Sequence, residues 1–347
     1  MKPIAATAAL IAAGFFLMFA QAPQRPAPAE PAGPYILNLL PVTGDLPRAE
    51  EFYHRLLGLE SPNGDPRARL VWYPQAPFLD DMYGVKGNTR NFFLRVPGSE
   101  LNLEIEQFSG ATGKRLDTHL QDPGAMQLIF NTSNIDGLTD WLTKGGAKVL
   151  TAGGKPVSVT DDGIPARAIY FQDFNGFFVK LLQRDAPPAG PGANGAPPNS
   201  FITGVTIGIT ANDTEKTARF YHDVLGVDVQ TDAPFMNDPK QLEVFGLKGA
   251  QYRESAVLFP DKTPPLHFFE FKGVDRKPLH PLVADPDSVL IRIAVHDMDS
   301  VAARVKAAGG QIMNVSGGPF LNGRARWLIV TDPNGAHLQL VDRNAVP

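Results

Sequence analysis

The feature that most constrains this chain is an internal repeat. The stretch Asp45-Leu-Pro-Arg-Ala-Glu-Glu-Phe-Tyr-His-Arg-Leu-Leu-Gly58 matches Asp213-Thr-Glu-Lys-Thr-Ala-Arg-Phe-Tyr-His-Asp-Val-Leu-Gly226, and both Phe52/Phe220 and Gly58/Gly226 lie 168 residues apart. A second match follows in the same order, Gln172-Asp-Phe-Asn-Gly176 against Thr331-Asp-Pro-Asn-Gly335. Two ordered matches indicate duplication, so the fold must be one that copies of a single unit can build. Residues 186–199 (APPAGPGANGAPPN) separate the copies. They contain no charge, aromatic or branched aliphatic side chain and read as an interdomain linker. This leaves 35–185 and 200–347 as two domains of ordinary size.

Each half divides again. A strand at Leu39–Val42 and a helix over 45–57 precede strand-like runs at 69–73, 91–95 and 101–106. The pattern restarts with a strand at 127–130, a helix at 136–143 and strands around 148–150, 166–171 and 177–182. The second half repeats it with a strand at 289–295, a helix at 299–308 and strands at 311–315, 325–330 and 337–341. The fold class is therefore α+β, built from four βαβββ modules. One module buries too little apolar surface to stand alone, so modules must pair, either within the chain or across a homodimer. The helix signals agree. Asp45 and Asp213 can accept the first backbone N–H groups, Pro47 suits the first turn, and Leu46, Ala49, Tyr53 and Leu56 form an apolar stripe closed by Gly58.

Charge narrows the partners. Lys and Arg number 32 against 36 Asp and Glu, a net charge of −4, so no basic excess favours nucleic acid. No cysteine is present, which excludes disulfides, thiolate metal ligands, a Cys nucleophile and a lipid anchor on Cys. Residues 1–22 have the layout of a secretory signal: Lys2, an uncharged run from Ile4 to Ala20, and an Ala-Gln-Ala close. That run reaches roughly 25 Å as a helix, near the lower limit for spanning a bilayer, and Pro23 disfavours cleavage after Ala22. The segment reads as a signal peptide or as an uncleaved anchor through residues 4–20. Both export the remainder, to the periplasm or the exterior, with no other membrane contact. Residues 23–34 are a Pro/Ala-rich tether.

These motifs resemble the vicinal oxygen chelate superfamily of glyoxalases, bleomycin-resistance proteins and extradiol dioxygenases, over both 35–185 and 200–345. The resemblance implies modules paired into glyoxalase/bleomycin-resistance-type cupped barrels, each around one ligand site. In the metalloenzyme members a divalent cation in the cup chelates substrate, held by His, Gln or Glu on the first and last strands of each module. Carried over, the first-strand positions fall on Asn38 and Thr206 for the first module of each half and on Gln127 and Leu290 for the second. The last-strand positions fall on Glu104 and Glu270, then Lys180 and Gln339. Grouped by half, the quartets are Asn38/Glu104/Gln127/Lys180 and Thr206/Glu270/Leu290/Gln339.

These sets depart from the metalloenzymes, since each has one carboxylate and no imidazole, a poor donor set for Fe, Zn, Ni or Mn. Lys180 would repel a cation and is expected to pair with Glu104 in the metal's place. The expected function is binding of a small molecule in the cups, with no metal cofactor. A metal-dependent glyoxalase- or dioxygenase-like enzyme and a structural or partner-binding envelope protein are the alternatives. Glu106 shares a strand face with Glu104, as an acid/base pair or a solvated face. His337 shares a face with Gln339, as an acid/base or a rim residue. His267 is expected opposite Glu270, between sheet and helix. No catalytic residue is assigned, no Gly-x-Ser-x-Gly elbow occurs, and the Gly-Gly-Lys run at 153–155 lacks phosphate-loop spacing.

Overall fold

The computed structural model describes residues 33–113, 115–185, 201–259 and 264–343. The signal or anchor segment 1–22, most of the tether and the linker lie outside these residues. Four modules are present. The first contains β1 (Tyr35–Pro41), helix α1 (Leu46–Ala49) continuing as a π-helical stretch (Glu50–Leu56), β2 (Tyr73–Pro74), α2 (Pro77–Tyr83), β3 (Asn88–Arg95) and β4 (Asn102–Phe108). The second contains β5 (Met126–Thr132), α3 (Ile135–Lys144), β6 (Lys148–Val149), β7 (Val157–Asp161), β8 (Ile164–Gln172) and β9 (Phe178–Arg184). The third has β10 (Ile202–Ala211), α4 (Thr214–Leu225), β11 (Asp228–Val229), α5 (Pro239–Phe245), β12 (Gln251–Leu258) and β13 (Leu266–Lys272). The fourth has β14 (Val289–Ala294), α6 (Met298–Ala307), β15 (Gln311–Ile312), β16 (Phe320–Asn322), β17 (Ala325–Thr331) and β18 (His337–Asp342).

The strands form two sheets of nine. β1–β4 share one sheet with β14–β18, through an antiparallel β1–β14 seam. β5–β9 share the other with β10–β13, through an antiparallel β5–β10 seam. The first module therefore pairs with the fourth and the second with the third. This corrects the grouping of site residues by half, because each cup takes one module from each half. Each cup is also completed within a single chain.

Alternation along the strands divides the side chains. One face of both sheets packs on the helices: Leu39, Leu103, Ile105, Ile291 and Leu338 from the first sheet and Leu128, Phe130, Val179, Ile207 and Phe268 from the second join α1, α3, α4 and α6 in one continuous core. Full burial of each such side chain contributes about 1.5–3 kcal/mol. The helices begin as expected, with Asp45 accepting from Arg48 N at 3.2 Å and Asp213 from Lys216 N at 2.9 Å. Helices also join the modules of one half to each other. The Tyr53 hydroxyl donates to Asp173 in the β8–β9 turn at 2.9 Å, and Tyr221 lies against Asp332 in the β17–β18 turn. Burial pushes Asp173 and Asp332 up to about 6, against the pull of the turn's own N–H donors.

Several elements differ from expectation. The run 69–73 is not a strand. Pro66 and the Asp65 cap, which accepts from Arg67 N at 2.9 Å, start a 3-10 turn (Pro66–Arg69), and only Tyr73–Pro74 pair. The short helices α2 and α5 fall in stretches where no helix was expected, and they plug the cups. Met82 and Tyr83 of α2 pack with Leu40, Val42, Phe108, Leu290 and Ile329 in one cup. Leu242 and Phe245 of α5 pack with Tyr170, Phe178, Phe269 and Phe271 in the other.

Candidate functional site

The first cup, between β1–β4 and β14–β18, holds a partial ring of linked polar side chains. Asn38 Nδ2 donates to Glu104 Oε2 at 3.2 Å and Asn91 Nδ2 to Glu104 Oε1 at 3.3 Å. Arg292 pairs with Glu104 at 2.9 Å and donates through Nε to Gln339 Oε1 at 2.6 Å. Gln339 Nε2 reaches the Tyr83 hydroxyl at 3.5 Å. The expected ion pair on Glu104 is present, but its cation is Arg292 and not Lys180, which lies in the other cup. Arg292 was missed because the inherited position on β14 is Leu290, a core residue packed with Leu40 and Val42. The signal was a single charge in the run Val289-Leu-Ile-Arg-Ile-Ala294, on the same strand face as Leu290.

Glu106 lies on the cup face with Glu104, so the solvated-face reading is wrong: it is buried. Burial first, and Glu104 second, push its carboxyl up to about 8, opposed by the Thr89 hydroxyl, which donates at 3.1 Å, by Arg292 and by Tyr83. Two adjacent carboxyls thus differ: one is ion-paired and the other is neutral at pH 7. His337 is also buried and away from any rim. Its Nδ1 is 2.9 Å from Ser288 Oγ, and burial lowers its pKa to about 4, which keeps the imidazole neutral. It lines a cavity of about 30 Å3 with Asp287 and Leu116 at the junction between modules, outside the ring.

The second cup contains Thr206, Gln127 and Lys180 as neighbours on one face, but Glu270 is not among them. β1 pairs Leu39 with Leu103, and β10 pairs Ile207 with Leu266, so the residue matching Glu104 is His267. Glu270 matches Gln107 and points to the helix side. Its Oε2 accepts from Thr214 N at 3.0 Å, the Thr214 hydroxyl at 2.8 Å and Arg253 at 2.7 Å. Gln107 likewise accepts from Leu46 N at 3.2 Å and Arg90 Nε at 2.9 Å. Both residues anchor the start of a helix. The expected faces of Glu270 and His267 are therefore exchanged, because the third module is five residues shorter between its helix and its last strand.

His267 Nδ1 meets Glu254 Oε1 at 2.5 Å. Burial alone would raise Glu254, but the His267 contact and the charges of Lys180 and Arg184 outweigh it and hold the carboxyl low. The Tyr170 hydroxyl donates to Gln127 Oε1, and Lys180 places its ammonium 5.8 Å from the centre of the Tyr170 ring. Arg184 pairs with Asp161 and donates to Asn131 at 3.2 Å. A groove of about 740 Å3 opens on this cup, lined by Arg95, Asn131, Arg184, Thr206 and His267 among others.

Neither donor set suits a divalent cation. In the first cup a guanidinium lies on Glu104, and in the second an ammonium shares the face with a threonine, an amide and a histidine held by Glu254. Among the described residues no three His, Asp or Glu side chains are grouped so as to hold a metal.

The Glyoxalase/Bleomycin resistance protein/Dioxygenase superfamily model matches residues 205–340, the third and fourth modules. That match makes the second half of the chain similar to this superfamily. Glyoxalase I from Zea mays shares the superfamily fold at 19% identity and TM-score 0.55, over 90% of this chain and 93% of the maize protein. A putative dioxygenase from Bacillus subtilis is similar at 11% identity and TM-score 0.50, over 89% and 85% of the respective chains. No curated protein sequence matches. At these identities the solved structures show shared fold alone.

Proposed function

We propose that this chain is a member of that superfamily and an exported binder of a small molecule, that the second cup is its ligand site, and that it works without a catalytic metal. The observation that carries this is the groove of about 740 Å3 reaching Thr206 and His267, two positions equivalent to metal ligands in the superfamily's enzymes. In the first cup the corresponding positions are tied to each other by Arg292. Concave, partly apolar space with convergent polar groups is the usual form of a ligand site.

The test is a thermal-shift screen of small molecules on the wild-type protein and on Thr206→Trp, which blocks the groove from a half-exposed position. Ligands raise the melting temperature of the wild type through linkage, and the shift disappears in the variant. Metal analysis of protein purified without chelators gives far less than one Fe, Zn, Ni or Mn per chain. About one tightly held metal per chain, with metal-dependent turnover of a hemithioacetal or catechol, overturns the reading in favour of an enzyme. A protein partner in pull-down, with no small molecule active, overturns it in favour of an envelope scaffold.

A further inference from the structure

Two hydrogen-bond donors on the floor of the second cup have no acceptor among the described residues. Lys180 is 2% exposed, yet it forms no ion pair among the described residues, and the carboxylate on its side of the cup, Glu254, is already engaged by His267. Gln127 is fully buried. Its Oε1 is fixed by the Tyr170 hydroxyl, and its Nε2 has no partner. Lys180 and Tyr170 face each other on adjacent strands, so both donors flank one ring. Burying an ammonium and an amide N–H without acceptors is unfavourable, and such groups in native proteins are normally matched by a partner. The backbone is adapted to this arrangement. A Cβ on Gly208 would lie 2.4 Å from Gln127 Cγ, so only glycine there leaves room for the amide. Thr206, Ile129 and Lys180 are register neighbours across three strands, so the ammonium lies two strands in from the groove edge at Thr206.

We infer that the second cup takes a small polar carboxylic acid, with the carboxylate oxygens on Lys180 Nζ and Gln127 Nε2 and the remainder of the molecule toward Thr206, Asn131 and Arg184. A carboxylate presents two acceptor oxygens on one planar group, which matches two donors flanking one ring, and an ionised acceptor makes both bonds charge-assisted. The inference rests on the reading of this cup as the ligand site.

The experiment is calorimetric titration with glycolate, lactate and pyruvate, using the corresponding amides as neutral controls, on the wild type, Lys180→Met and Gly208→Ala. The acids bind the wild type and their amides do not. Lys180→Met weakens binding at least about tenfold, as expected for losing a charge-assisted bond. The same variant raises the melting temperature of the ligand-free protein, because it removes a buried charge that the fold leaves unpaired. A lower melting temperature for Lys180→Met would make Lys180 a structural partner of Glu254 and overturn the inference. Gly208→Ala keeps the charge, displaces Gln127, and also weakens binding. Amides binding as well as acids, with Thr206→Trp abolishing both, would overturn the carboxylate assignment while leaving the ligand site standing. Titrations that show no binding of any acid or amide, together with an inactive library screen, would overturn both.

Discussion

In the first cup Arg292 pairs with Glu104 and ties it to Gln339. The two charges are 18% and 12% exposed, so removing one leaves the other poorly solvated. Arg292→Met is expected to cost about 3 kcal/mol in urea unfolding, and the double variant Arg292→Met, Glu104→Leu recovers most of it. Glu106 sets a pH dependence. Its folded pKa of about 8 exceeds the 4.5 of a free carboxyl, so the stability it contributes is fully present below about pH 4.5, falls as the pH rises, and is gone above about pH 8. The charged and titratable groups facing it are Glu104, Arg292, Tyr83 and Tyr73. Glu106→Gln is neutral at every pH, so its melting temperature gains on the wild type from about pH 5 upward and levels off above about pH 8. An unchanging difference across that range would contradict the burial argument. The strand face of Glu104 and Glu106 was legible from alternation. The identity of their partners was not, because Arg292 lies on β14, 188 residues away from Glu104 in sequence.

At the level of elements, the repeat placed α1 and α4 correctly because capping, stripe and terminal glycine all act within one segment. Glu270 shows where such local reasoning stops. Nothing in His-Phe-Phe-Glu-Phe says which set of alternate residues faces the helix, and only pairing with β10 sets the register. Its contacts predict a structural role. Glu270→Ala strips Thr214 N of its acceptor and leaves the buried Arg253 with only Glu215, at a cost of about 2–3 kcal/mol in thermal or urea unfolding, with ligand affinity retained. The helices α2 and α5 escaped notice for a related reason. Each is seven residues long and begins at a proline, too short for a helical period to show, and what holds each in place is the apolar cup beneath it.

In the whole molecule, sheets join modules of opposite halves while helices join modules of the same half. Cutting the chain in the linker therefore separates both seams. A fragment of residues 33–185 would expose the β1 and β5 edges that β14 and β10 cover, and exposed edges invite pairing with other chains. Each half expressed alone is expected to self-associate, measured by light scattering during size exclusion. Coexpressed halves should instead give a soluble 1:1 complex with both cups restored. Two monomeric, folded halves would contradict the crossed pairing. The linker's composition marks a boundary in sequence but carries no information about which sheets form on either side of it.

From the sequence alone came the duplication, the α+β modules and the helix caps, because periodicity and capping are properties of a few consecutive residues; the inward positions of Asn38, Glu104, Gln127, Lys180, Thr206 and Gln339 came from the family resemblance of the motifs. The tertiary structure decided which modules share a cup, and with that the pairing of Glu104 with Arg292 and of His267 with Glu254, and the plugging of both cups by α2 and α5. Strand edges carry no address in their residues. The partner that an edge takes depends on how four helices pack into one core, and that packing is settled only when the whole chain has folded.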